Sequence, residues 1–154
     1  MPFVSFTWVN HHQQSICFGC GMVGVETEKS FVWLLSTWLE AILGACPKTV
    51  ITDQDTAFTN AISIVFPTVN HHYCMWHIEK KVLEYLNYIY HEHSEFKSQF
   101  GKCIHQSITV EEFESDWEVM IDKYGLQDNK WWEKINMFSF SWVFYDLGTW
   151  SIAI

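Results

Sequence analysis

The order of its apolar segments restricts this chain more than any other feature of the sequence. Residues 3–9 alternate between apolar and polar side chains, and residues 15–23 follow after a polar turn, so the two segments predict an antiparallel β-hairpin. Downstream, apolar segments of helical length alternate with short β-branched segments, which is typical of an α/β sheet with parallel pairing. In chain order these predicted elements are helix 31–43, strand 49–52, helix 55–66 and strand 69–73.

Local signals mark the ends of the predicted elements. Thr27 is a plausible cap for the first helix, and Gly44 stands where a C-terminal cap is expected, with Pro47 just beyond it. The second half of the chain is helical in its spacing, and its last stretch is rich in aromatic residues without a clear period. The predicted helices are 77–86, 95–105, 110–124 and a weaker one at 130–137, and the predicted divisions are a core at 1–86, a helical region at 87–142 and a tail at 143–154.

Composition narrows the classes of protein that this chain can belong to. A chain of 154 residues with 49% hydrophobic side chains predicts one globular domain, and its nine Trp must be buried in a core or against a partner. The net charge of −9 indicates a poor free-standing nucleic-acid binder, because phosphate contacts need Lys and Arg. We expect no secretory signal and no membrane span, and the five Cys without a disulfide pattern favour a reducing, intracellular location.

Two carboxylates follow the short strand at 49–52. Asp53 is placed at the carboxyl end of that strand, where sites in open α/β sheets lie, so it is a candidate for binding a metal. Asp55 either supports such a site or caps the next helix, and its spacing favours capping.

A C-x-x-H pair, Cys74 and His77, stands where a strand passes into a helix, and thiolate and imidazole at this spacing can share a zinc ion. A structural zinc needs four ligands, and Cys17 with Cys20 would have to supply the other two. If residues 15–23 form a regular strand, Cys17 and Cys20 point to opposite faces, which favours separate buried thiols over shared coordination.

Two histidine pairs, His11–His12 and His71–His72, are the remaining candidates for metal ligands. Adjacent residues on a strand or turn point apart, so surface or capping roles are favoured over chelation.

These segments together resemble a known family. The run FVWLLSTWLEAILGACPKTVITDQDTAFTNAISIVFPTVNHHYCMWHIEKK is similar to the Mutator-like (MULE) transposase domain, and in particular to the plant far-red-impaired-response family of transposase-derived transcription regulators. The resemblance covers residues 1–142. It implies a ribonuclease-H-like fold whose transposase members hold two divalent metals with two Asp and one Glu. On this resemblance Asp53 matches the second acid, and Cys74 with His77 matches the family's C-x-x-H.

The chain departs from the family pattern at both ends. The family's first Asp lies on a strand that would precede Met1, and its Glu should follow the helical region, where Glu133 and Asp146 stand in a different context. We therefore expect an α/β, ribonuclease-H-like core that lacks its first central strand and is followed by a helical region. Its flanking strands would have unpaired edges, which predicts marginal stability or self-association.

The resemblance leads to three functional hypotheses. The first is a non-catalytic remnant of a nuclear protein associated with transcription regulation, in which Asp53 is vestigial and no cofactor is required. On this hypothesis zinc at Cys74 and His77 is an option, and Mg²⁺ is expected only in an intact homologue. DNA is contacted only by other domains. The chain binds a protein partner or a second copy of itself, and it does not bind a membrane. The second is an incomplete part of an active metal-dependent transposase, and the third is a decayed gene product.

Overall fold

The computed structural model describes residues 1–9, 12, 14–129 and 151–153. These residues belong to two compact units. The first unit comprises Met1–Cys74 with Asp146–Ile154, and the second comprises Met75–Tyr145. The structure is mixed α/β, as predicted, whereas the boundaries predicted after residues 86 and 142 stay predictions. None of the helices in the described residues is both long enough and apolar enough to cross a bilayer.

One five-stranded sheet organises the first unit. Its strand order is β2-β1-β5-β3-β4. The hairpin strands β1 and β2 are antiparallel, β1 is also antiparallel to β5, and β3 is parallel to both β5 and β4. The strands are β1 Phe3–Val9, β2 Ser15–Met22, β3 Thr49–Thr52, β4 Asn70–Tyr73 and β5 Ser151–Ala153.

The strand β5 lies in the position where we expected a gap. Ile152 is in register with Trp8 of β1 on one side and with Val50 of β3 on the other. The expectation that the hairpin and β3 would have unpaired edges facing a missing strand is therefore wrong over this stretch. A strand of three residues is too short to have a hydrophobic period, which is why the sequence pattern did not reveal it.

The second hairpin strand contains a β-bulge that changes which faces its side chains occupy. Phe6 is in register with Gly19, whereas the next residue, Thr7, is in register with Cys17, so Phe18 is an extra residue. An extra residue cancels the alternation between faces. Cys17 and Cys20 therefore lie on the same face of the hairpin, and the prediction that they point to opposite faces is wrong.

Helix α1 (Glu28–Ala41) covers the other face of the hairpin. It begins at Thr27, whose hydroxyl accepts a hydrogen bond from the Ser30 N–H, so the predicted cap is confirmed. The rings of Phe6 and Trp38 are stacked, with centroids 4.7 Å apart and planes 8° apart. Helix α1 lies so close to the hairpin that a Cβ at Gly21 would be 2.3 Å from a Leu34 methyl carbon.

Helix α2 (Thr56–Val65) completes the core of the first unit by packing against α1. The rings of Phe31 and Phe58 meet edge to face at 4.7 Å, and Ala61 and Ile62 are buried beside them. The helix was predicted at 55–66, and its N-terminal end follows from the capping residue Asp55.

The second unit is helical where it is described. The helix predicted at 110–124 is confirmed to the residue, the short α4 was not predicted, and the helix predicted at 130–137 lies outside the described residues. The rings of Phe96 and Tyr124 meet edge to face at 4.9 Å within a buried aromatic cluster. The helices are α3 Met75–Tyr85, α4 Asn87–Glu92, α5 Phe96–Gln106 and α6 Val110–Tyr124.

The stacked pair gives a direct test of this packing. Phe6 is 1% exposed and Phe3, on the same strand, is 64% exposed. We expect Phe6→Ala to lower the free energy of unfolding by about 3–5 kcal/mol, because it opens a cavity against Trp38. Phe3→Ala should change it by less than about 1 kcal/mol. Equal effects of the two substitutions in urea unfolding would contradict the face assignment.

Candidate acidic site at the sheet edge

A cavity of about 190 Å³ lies at the carboxyl end of β3. Because β1 runs opposite to β5 and β3, its first residues are at this same edge, together with the residues that follow β2. Three carboxylates line the cavity, which makes it the strongest candidate site in the first unit. Its lining residues are Pro2, Phe3, Val4, Ser5, Glu26, Phe31, Thr52, Asp53, Asp55 and Phe58.

Asp53 and Asp55 have different local roles. Asp55 caps α2, since its Oδ1 accepts the Phe58 N–H at 2.7 Å, as the spacing favoured. Asp53 is half-buried, and its Oδ1 accepts the Asp55 N–H at 3.1 Å. Among the described residues, the second oxygen of Asp53 has no hydrogen-bond or ion-pair partner. One carboxylate oxygen is therefore available to a ligand in the cavity.

A buried polar contact fixes the end of β3 beneath Asp53. The Thr52 hydroxyl donates to the Asp53 carbonyl oxygen at 2.7 Å and lies 2.8 Å from His71 Nε2. Since the hydroxyl has one proton and the carbonyl takes it, the imidazole must donate from Nε2. Burial lowers the pKa of His71 to about 4, and the adjacent His72 adds to this shift. His71 is therefore a neutral structural donor near pH 7.

His71 and His72 occupy opposite faces of β4, as alternation predicts, and burial also lowers the pKa of His72. His12 is exposed and His11 lies outside the described residues. The structure does not bring His71 and His72 together as a chelate, and the pair His11–His12 stays untested.

Glu26 was missed by sequence reasoning. It lines the cavity with Asp53 although it lies far from it in the chain and precedes the capping residue Thr27. Only the antiparallel return of β2 brings it to this edge. A polar residue that follows a hairpin strand could have been flagged, but nothing in its spacing distinguishes it from an ordinary solvated side chain.

The C-x-x-H pair does not form a complete metal site within the described residues. Cys74 follows β4 and belongs to the first unit, whereas His77 lies in the first turn of α3 in the second unit. The Nδ1 atom of His77 is buried and has no hydrogen-bond partner in the described part of the chain, so this nitrogen could serve as a ligand. Among the described residues, however, no three His, Cys, Asp or Glu side chains are placed to hold one metal ion.

The fold and this cavity define an α/β domain with carboxylates beyond a short parallel strand. The family model of the MULE transposase domain matches residues 1–81, and the chain belongs to that family. Within it, the chain is a domain of the far-red-impaired-response kind, which confirms the resemblance read from the motifs.

Two of the similar curated proteins, both from Arabidopsis thaliana, illustrate the match. "Protein FAR1-RELATED SEQUENCE 5" is 44% identical over 143 residues, which is 93% of this chain and 18% of that protein. "Protein FAR-RED IMPAIRED RESPONSE 1" is 38% identical over 131 residues, which is 85% of this chain and 16% of that protein. The chain thus spans less than a fifth of these relatives. No solved structure matches it.

The His71 contact predicts a pH dependence of stability. Its pKa in the folded chain is below its value in the unfolded chain, so the unfolded chain takes up the proton first as the pH falls. The stabilisation is present above about pH 6.5 and is lost towards pH 4. In His71→Gln the amide can still donate a hydrogen bond to Thr52 but does not titrate. Between pH 7 and pH 4 we expect the free energy of unfolding of this variant to fall by on the order of 1–2 kcal/mol less than that of the parent chain.

The measurement is a series of urea unfolding curves over this pH range. His91→Gln is the matched control, because His91 is exposed on α4 and its replacement should leave the pH dependence as it was. A parent chain and a His71→Gln variant with the same pH dependence would refute the assignment.

Proposed function

We propose that this chain is a non-catalytic, transposase-derived module of a nuclear protein associated with transcription regulation. The observation that carries the proposal is the identity of the strand between β1 and β3. That strand is β5, whose residues are Ser151, Ile152 and Ala153, and none of them is acidic.

The proposal that the chain is non-catalytic assumes a ribonuclease-H-like sheet. Such a sheet joins an antiparallel hairpin to a parallel pair through a central strand that is antiparallel to the first and parallel to the second. The order β2-β1-β5-β3-β4 and its strand directions agree with that arrangement. The resemblance places the first catalytic acid on the central strand of such a sheet. In this chain β5 occupies that position and has no acidic residue, which supports the non-catalytic proposal.

The remaining acids fit a divalent metal poorly. One oxygen of Asp53 already accepts a backbone N–H, and Asp55 is used as a helix cap. A lone carboxylate oxygen gives Mg²⁺ a weak, hydrated site, because the ion relies on converging oxygen ligands. Glu133 and Asp146 lie outside the described residues. We therefore take Asp53 as a vestige of the second acid and propose no catalytic step.

The proposal includes zinc binding at Cys74 and His77 only if other residues complete the site. A structural zinc takes four protein ligands, and these residues supply two. The partnerless Nδ1 of His77 supports ligation, while the missing further ligands oppose it. Any zinc held by this pair would need additional ligands from elsewhere.

Charge supports protein contacts over DNA contacts for this module. The net charge of −9 repels phosphate, so we propose that DNA is contacted only by other domains of the longer protein. We propose nuclear location and a role in transcription on the family resemblance, and the name of one relative refers to an impaired far-red response.

A second candidate function is an incomplete part of an active metal-dependent transposase. One observation favours it, namely that Glu26 and Asp53 line the same cavity with Asp55. If these acids bound a divalent metal, phosphodiester cleavage would depend on Asp53.

Cleavage of supercoiled plasmid DNA distinguishes the two candidates. We expect the purified chain to show no nicking with Mg²⁺ or Mn²⁺ above the level of Asp53→Asn, because among the described residues no three acidic side chains are placed to hold one metal ion. Metal-dependent nicking that is lost in both Asp53→Asn and Glu26→Gln would support the transposase instead. Glu114→Gln, an exposed substitution in the second unit, controls for general charge effects.

The proposal includes self-association or a protein partner at an exposed apolar surface. Trp33 is 61% exposed on α1, and it lines a surface depression together with Met22, which is also exposed. Because water-exposed aromatic area favours association, we expect self-association at micromolar concentrations that Trp33→Gln weakens about tenfold. Sedimentation equilibrium measures this, with Ile108→Gln in the second unit as control. A strictly monomeric parent chain would contradict self-association.

A further inference from the structure

The bulge in β2 places two thiols side by side on one face of the hairpin. Gly19 and Gly21 face α1, since a Cβ at either position would approach Trp38 or Leu34. Cys20 stands between these glycines and therefore faces away from α1.

Cys17 faces the same way, because it is in register with Thr7. Thr7 follows Phe6, whose ring stacks on α1, so alternation along β1 turns Thr7 away from the helix. The Ser5 and Thr7 hydroxyl oxygens are 3.3 Å apart, which agrees with a shared face. Both cysteines are exposed and free.

The Cys17 side chain leans towards Cys20. Its Sγ lies 3.5 Å from the carbonyl oxygen of Gly19, the residue directly before Cys20. From that contact and standard bond lengths, the two sulfur atoms can be at most about 9 Å apart, and rotation about the Cys20 side chain brings them closer. Both thiols are exposed on one face of the hairpin, and rotation about the two Cα–Cβ bonds can bring the sulfur atoms to one bridging ion.

A bridging ion fits this geometry better than a disulfide does. The partners of Cys17 and Cys20 are two residues apart on β1, which separates their Cα atoms by about 6.6 Å. The bulged strand spans the same stretch with one residue more, so the Cα atoms of the two cysteines are at or beyond the ~6.8 Å limit of a disulfide. A metal with two sulfur bonds of about 2.3 Å each lets the sulfurs stay roughly 4 Å apart.

The number of available ligands indicates which kind of metal ion the two thiols can bind. Zinc takes four protein ligands in structural sites, and among the described residues no third His, Cys, Asp or Glu joins the two thiols. Soft monovalent ions such as Cu(I) prefer thiolates and are satisfied by two of them. The chain's negative charge favours the approach of a cation.

We propose that Cys17 and Cys20 form a two-thiolate site for a soft monovalent metal ion of the Cu(I) class. Binding replaces the two S–H protons, which pass to solvent, by two metal–sulfur bonds, and no electron is transferred. The Ser5 and Thr7 hydroxyls are in register with Cys20 and Cys17 on the same face of the hairpin. Ser5 also lines the acidic cavity, but the thiolate site does not depend on the proposed function.

Anaerobic titration of the full chain with Cu(I), in competition with the chromophoric chelator bicinchoninate, tests the proposal. We expect one tightly held Cu(I) per chain, and a loss of affinity of about 100-fold or more in Cys17→Ser and in Cys20→Ser, because one thiolate cannot complete the site. Cys46→Ser removes an exposed thiol elsewhere in the first unit and should bind like the parent chain.

Two further measurements test whether the variants are folded and how many sulfur atoms bind the ion. Far-ultraviolet circular dichroism should show the serine variants folded like the parent, since both positions are exposed. X-ray absorption at the copper edge should show two sulfur neighbours. Stoichiometric binding that survives Cys17→Ser, or four sulfur neighbours around the ion, would overturn the proposal, as would rapid formation of a Cys17–Cys20 disulfide in air.

Discussion

Close contact between helix α1 and the hairpin determines the geometry of the first unit. The stacked rings of Phe6 and Trp38 bring the helix onto the sheet, and the contact is only compatible with residues that lack a Cβ at Gly21. With the helix held there, the hairpin has one face buried against α1 and one face turned away from it. Cys17 and Cys20 both lie on the second face, and the acidic cavity lies at the end of β3 beside the first residues of β1.

The parts of the fold that depend on neighbouring residues could be predicted from the sequence. Thr27 and Asp55 are capping residues just before apolar helical spacing, and both caps are present. The strand at Thr49–Thr52 is a β-branched segment between turn signals, and its bounds are as predicted. These features need only a few residues on either side, so the chemistry of the local segment decides them.

The parts that depend on distant pairing could not be predicted. The bulge at Phe18 has no local signal, because it arises from the register between two strands, and it reversed the expected faces of Cys17 and Cys20. Glu26 lines the same cavity as Asp53 only because β2 runs antiparallel to β1 and therefore ends on that side of the sheet. The strand β5 is too short to show a period, and its place in the sheet depends on partners far away in the chain.

The position of β5 has a consequence for the order in which the molecule folds. The hairpin and the β3–β4 pair have no direct pairing to each other, and the strand that joins them comes from residues 151–153. Nearly the whole sequence separates Trp8 from its partner Ile152, so this step closes a very long loop. Among residues 1–154 this step joins segments that are very far apart in the chain, so we expect β5 to pair after the hairpin and the β3–β4 pair have formed.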